Sequence, residues 1–149
     1  MKSLICIAIA LMVNGNFANA ADVTGMASPN AVNAATSFMN EFPRFRSTLP
    51  LHFDVDAVSK CGAVYTFVAE QQAKGNFPNE DETNTQWALM LESYKFMRNF
   101  FVFKGMPADI FTSTADKYAQ TLATDPSQQE PLITDCMDRL VAAISTAKE

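Results

Sequence analysis

Two cysteines, Cys61 and Cys136, each stand at the centre of an apolar stripe with helical spacing. Around the first, Val58, Cys61, Val64, Tyr65 and Val68 recur every three or four residues; around the second, Ile133, Cys136, Met137, Leu140, Val141 and Ile144 do the same. That is the period of one buried helix face. Two thiols on buried faces in an oxidising compartment pair most simply with each other. A Cys61–Cys136 bridge obliges two helices far apart in the chain to lie side by side, which removes most of the arrangements open to a helical protein. A nucleophilic cysteine would need a base and a group to orient it. His52 is the one histidine, and no Cys-x-x-Cys motif occurs.

The first twenty residues support the oxidising compartment. Lys2 precedes the apolar run Leu4 to Val13, and a polar stretch then ends in Ala18-Asn19-Ala20, whose small residues suit a signal peptidase. Cleavage is expected after Ala20, leaving residues 21–149 as one domain. A membrane anchor needs about 20 apolar residues, and this run is too short, so no membrane insertion is expected after cleavage. The third cysteine, Cys6, comes before most of the apolar run and leaves with the signal peptide. No Asn-x-Ser/Thr acceptor occurs, which favours a bacterial periplasm over a glycosylating route. The expected location is periplasmic or secreted.

Charge narrows the partners. Of 11 basic residues only Lys2 lies in the leader, so 10 remain against 16 acidic ones, a net charge of −6. A negative surface repels phosphate backbones and anionic membrane surfaces, so nucleic acid is not an expected partner.

Local signals divide the remaining chain into five helices. Ser28-Pro29 forms a cap and first-turn pair for a helix to about Phe42, with Ala31, Ala34, Ala35 and Phe38 on its apolar side. Pro43 to Phe53 shows neither helical nor strand periodicity and reads as a connecting loop. Asp54 or Asp56 caps a second helix to about Lys74, with Gly75 as its left-handed C-terminal residue. The third helix should begin near Asn79, with Asn79 and Glu82 as cap and third residue, and end at Gly105. Trp87, Met90, Leu91, Tyr94, Met97 and Phe101 line one side of it, and Leu89, Phe96, Phe100 and Phe103 a second. A helix apolar on two sides is expected at the centre of a bundle. Pro107 opens a fourth helix to about Ala123, Asp125-Pro126 breaks it, and the Cys136 helix starts near Glu130. The expected fold is therefore an all-α, five-helix bundle stapled by one disulfide.

Catalytic and metal-binding patterns are not apparent. Covalent haem attachment needs Cys-x-x-Cys-His, and zinc or copper needs several His, Cys or Met ligands. Asp54-Val55-Asp56 begins like a calcium loop, but Ser59 and Tyr65 stand where that loop requires Gly and Glu. Asp135 and Asp138 share a helix face but flank Arg139, as on a solvated side. No catalytic residue, metal or cofactor is assigned.

Two candidate sites remain. Arg44, Phe45, Arg46 and His52 gather two arginines, an aromatic ring and the imidazole on one proline-bounded segment, the composition of protein-interface anchors. Trp87, Tyr94, Phe96 and Phe100 are candidates for an apolar pocket. The first points to a non-enzymatic module that binds another periplasmic protein, of the inhibitor or immunity type. The second points to a carrier of a small apolar ligand, and an enzyme of unrecognised type is the third reading.

Overall fold

The computed structural model describes residues 28–78 and 80–149, apart from the side chains of Asp81 and Glu82. The expected signal peptide, Asn79 and the Glu82 side chain lie outside the described residues. Within them run six α-helices: α1 (Pro29–Glu41), α2 (Phe45–Thr48), α3 (Val55–Ala73), α4 (Asp81–Phe103), α5 (Asp109–Thr124) and α6 (Gln129–Lys148). Short 3-10 turns lie at Leu49–Leu51 and Pro126–Gln128. Among the described residues no strand occurs, and no helix is long and apolar enough to cross a membrane.

The described residues are all-α, with six helices instead of the five expected. The extra one is α2, in the segment expected to be a loop. Phe45 and Leu49, four residues apart, fall on one side of that turn, and both are buried. Between them the Thr48 hydroxyl lies 2.7 Å from the Phe45 carbonyl and 3.1 Å from that of Ala143 in α6. Pro50 sits at the start of the 3-10 turn, where its missing N–H is not needed. The prolines that suggested a loop thus bracket a compact coil.

Helix ends follow local chemistry. Ser28 Oγ accepts from the Ala31 N–H at 3.2 Å, and Asp54 Oδ1 from that of Ala57 at 2.8 Å. Asp54, not Asp56, is therefore the α3 cap. Gly75 and Gly105 take φ of +78° and +100°, the left-handed geometry that ends α3 and α4 at low steric cost. Helix α5 begins at Asp109, two residues later than expected from Pro107.

The central helix is α3, not the aromatic-rich α4. Fourteen of its nineteen residues are buried, including Ser59, Thr66, Gln71 and Gln72, and it packs against α4, α5 and α6. Small residues allow this: Ala57, Gly62, Ala63 and Ala69 let neighbouring helices approach on several sides. Helix α4 leaves Phe103 92% exposed, and in α1 Met39 is buried while Ala34 is exposed. Both departures reflect which neighbour each helix meets. Helix α1 packs on α4, and α2 on α6.

Cys61 and Cys136 sit at disulfide distance, with Cα atoms 5.5 Å apart, joining α3 to α6 inside the core. Their chain neighbours continue that junction outward. Lys60 Nζ lies 2.6 Å from Asp135 Oδ2, and Arg139 Nε donates to the same oxygen at 2.9 Å. The Arg139 guanidinium also donates to the His52 carbonyl at 2.7 Å, strapping the α2 segment to α6. Burial pushes the Asp135 carboxyl up, but the hydrogen bonds and charges of Lys60 and Arg139 outweigh it and hold its pKa below the ordinary value of 3.8. A lowered carboxylate pKa stabilises the fold above the ordinary value, and that contribution disappears as pH falls through the folded value. Asp135 is 39% exposed, so screening keeps the effect small. Asp135→Asn should cost less than about 1 kcal/mol in urea unfolding at pH 7, with the gap between wild type and variant shrinking as pH falls below the ordinary value of 3.8. A gap that persists undiminished at pH 2.5 would show that the loss is not electrostatic.

Candidate functional site

The arginine-rich segment is divided between core and surface. Phe45 is a core residue, 1% exposed, with its ring edge-on to Phe38 at 5.4 Å. It is not available as an interface anchor. Arg44 and Arg46 are exposed, and Leu51 beyond them is 71% exposed. His52 is half-buried, its Nε2 3.1 Å from the Thr146 hydroxyl, and its backbone carbonyl is taken by Arg139. Imidazole and backbone thus serve the junction with α6, which leaves two arginines and a leucine facing outward.

The four aromatic pocket candidates do not form one pocket. Trp87 and Phe100 are thirteen residues apart on α4, about 20 Å along a helix. Phe96 and Phe100 stack on each other with centroids 6.4 Å apart, and Lys104 Nζ lies 5.0 Å over the Phe100 ring. Tyr94 is half-buried; burial raises its pKa, opposed by the nearby Arg98. Trp87, by contrast, is 3% exposed and lines a real cleft.

That cleft lies where the C-terminal part of α3, the start of α4 and the N-terminal half of α6 converge, and it encloses about 190 Å³. Its buried lining is Val68 and Gln72 from α3, Phe77 from the connection, Trp87 from α4 and Ile133 from α6. Met137, Thr83 and Gln86 are half-buried, and Pro78 and Glu80 stand exposed at the rim. Among the described residues the lining contains no Lys, Arg or His, and Glu80 supplies a carboxylate at the rim.

The connection is held in place by two glutamines at the end of α3. Asn76 Nδ2 donates to Gln71 Oε1 at 2.9 Å, and the Asn76 N–H donates to the Gln71 carbonyl at 2.8 Å. Gln72 Nε2 donates to the Pro78 carbonyl at 2.7 Å and to Asn84 Oδ1 at 3.0 Å. These bonds fold residues 75–78 back over α3, where Phe77 meets Phe67 edge-on at 6.0 Å. The cleft wall is thereby built from a turn pinned at both ends.

Compared with protein-family models, curated proteins and solved structures, the chain matches none. Function must therefore be argued from the cleft and the surface themselves.

Among the described residues no group of three or more His, Cys, Asp or Glu side chains could hold a metal ion. Sequence reasoning selected Trp87 and missed Gln72 and Phe77. A usable signal was present, because Val58, Cys61, Tyr65 and Val68 step along one face whose next position is Gln72. A glutamine continuing a buried stripe must find polar partners there.

Proposed function

We propose that the protein is an exported binding protein that carries a small apolar ligand in the Trp87 cleft. One observation carries the reading: an apolar floor of Val68, Phe77, Trp87 and Ile133 in a recess of about 190 Å³. A dry apolar cavity of about 150 Å³ accepts a benzene-sized molecule, so this recess suits one ring with a few further atoms. Trp87 is the one tryptophan of the chain, so its emission reports on the cleft directly. Titrating the purified protein with toluene should produce a saturable change in Trp87 fluorescence with a Kd on the order of 0.1–1 mM. No saturable change over that range would reject the carrier reading.

A protein-binding module of the inhibitor or immunity type is the second reading. The exposure of Arg44, Arg46 and Leu51 on one short segment supports it. Arg44→Glu with Arg46→Glu should then abolish capture of a partner from periplasmic extract, and undiminished capture would remove this segment as the site.

A further inference from the structure

The two ends of α4 are complementary in shape and in charge. Phe103 is its last residue and is 92% exposed, and Val102 and Lys104 beside it are exposed too. A lone ring on a surface needs no explanation, but this one ends a stripe. Phe96, Phe100 and Phe103 follow one another at four and three residues, and burial falls along them from half-buried to open. Near the other end of the helix is the Trp87 cleft, a recess of about 190 Å³ that suits one ring with a few further atoms. A phenylalanine side chain is a ligand of that size, toluene attached through its methyl carbon.

Charge follows the same division. From Glu80 to Glu92 the chain carries four acidic residues and no basic one, and from Ser93 to Ala108 it carries Lys95, Arg98 and Lys104 and no acidic one. This order also suits the helix dipole, which accounts for the charges but not for the exposed ring. Lys104 adjoins Phe103 in the chain, and Glu80 stands exposed at the rim of the cleft. Thr83 and Gln86 in the lining carry hydrogen-bonding groups suited to the peptide units that flank an inserted ring. Trp87 and Phe103 are sixteen residues apart in one helix, about 24 Å along its axis, so Phe103 cannot turn back into its own cleft. Two copies meeting through their Phe103 ends would set Arg98 and Lys104 against their own kind.

We infer that a second copy of the chain docks on this cleft head to tail, with Phe103 of one copy inserted against Trp87 of the next and Lys104 paired with Glu80. The contact uses the cleft of the carrier reading but a different occupant. It is heterologous, so each pair keeps one free ring and one free cleft, and addition continues beyond the dimer.

Sedimentation equilibrium of the purified protein, with Trp87 emission followed over the same concentrations, tests this. The average mass should rise past that of a dimer, and the emission should change with it, at concentrations on the order of 0.1–1 mM. Phe103→Ser, on the surface and outside the cleft, should stay monomeric throughout and keep the wild-type response to toluene. Lys104→Glu or Glu80→Lys alone should weaken association at least threefold, and the two in one chain should restore it. A wild type that stays monomeric, association that Phe103→Ser leaves unchanged, association without a change in Trp87 emission, or a charge exchange that fails to restore it each overturn the inference. Monomeric protein that binds phosphatidylglycerol vesicles through Phe103 assigns the ring to lipid and overturns it as well. Toluene binding by a protein that never associates leaves the carrier reading standing alone; association through Phe103 and Trp87 with no toluene binding upholds the inference and removes the carrier.

Discussion

Replacing Cys61 and Cys136 together with alanine is expected to cost the protein about 4 kcal/mol of stability. The two cysteines are 75 residues apart in the chain, and the entropy lost by the unfolded chain on closing a loop of that length sets the figure. In the native state the bridge joins buried positions on α3 and α6, so no solvated strand or flexible tail dilutes the constraint. The whole stability of a domain this size is about 5–15 kcal/mol, and the double variant therefore loses a large share of it. Urea unfolding of the oxidised protein and the double variant provides the measurement. The midpoint should fall and the dependence on denaturant should steepen, because an uncrosslinked unfolded chain exposes more surface. An unchanged midpoint would mean that the link contributes nothing to the native fold.

The second large effect is expected at Phe45. Truncating a fully buried phenylalanine to alanine costs about 3–5 kcal/mol through lost transfer energy and the cavity left behind. Phe45 meets this description, and its ring holds the end of α1 against α2 through Phe38. Phe38 in turn packs on Phe42 at 4.9 Å, and Lys148 of α6 lies over both rings. Phe45→Ala should therefore loosen the contact of α1, α2 and the C-terminal end of α6 together. Arg44→Ala, one residue away and exposed, should stay within about 0.5 kcal/mol. Equal small effects at both positions would return Phe45 to the list of surface anchors.

That pair of residues shows where sequence reading reached its end. Arg44, Phe45 and Arg46 have the composition of an interface, and composition cannot say which of three adjacent side chains turns inward. The decision came from Leu49, four residues on, and from the Ala143 carbonyl of α6, which the Thr48 hydroxyl approaches. The same holds along α4. Its two apolar stripes suggested a central helix, yet the small residues of α3 let three neighbours close around that helix instead. Trp87 and Phe100 looked like one aromatic set, and helical rise alone separates them into different environments.

Helix positions and most of their ends were legible because they depend on groups within a few residues: Ser28 before Pro29, Asp54 reaching the Ala57 N–H, Gly75 and Gly105 at left-handed turns. The pairing of Cys61 with Cys136 was legible too, since each lies at the centre of a buried stripe and the expected mature chain offers no other thiol. The cleft was not. It lies where three helices converge beside a turn that Gln71 and Gln72 pin through Asn76, Pro78 and Asn84. Short-range hydrogen bonding and periodicity are written into neighbouring residues, whereas which helix is enclosed and which ring is buried depend on side chains brought together across the chain.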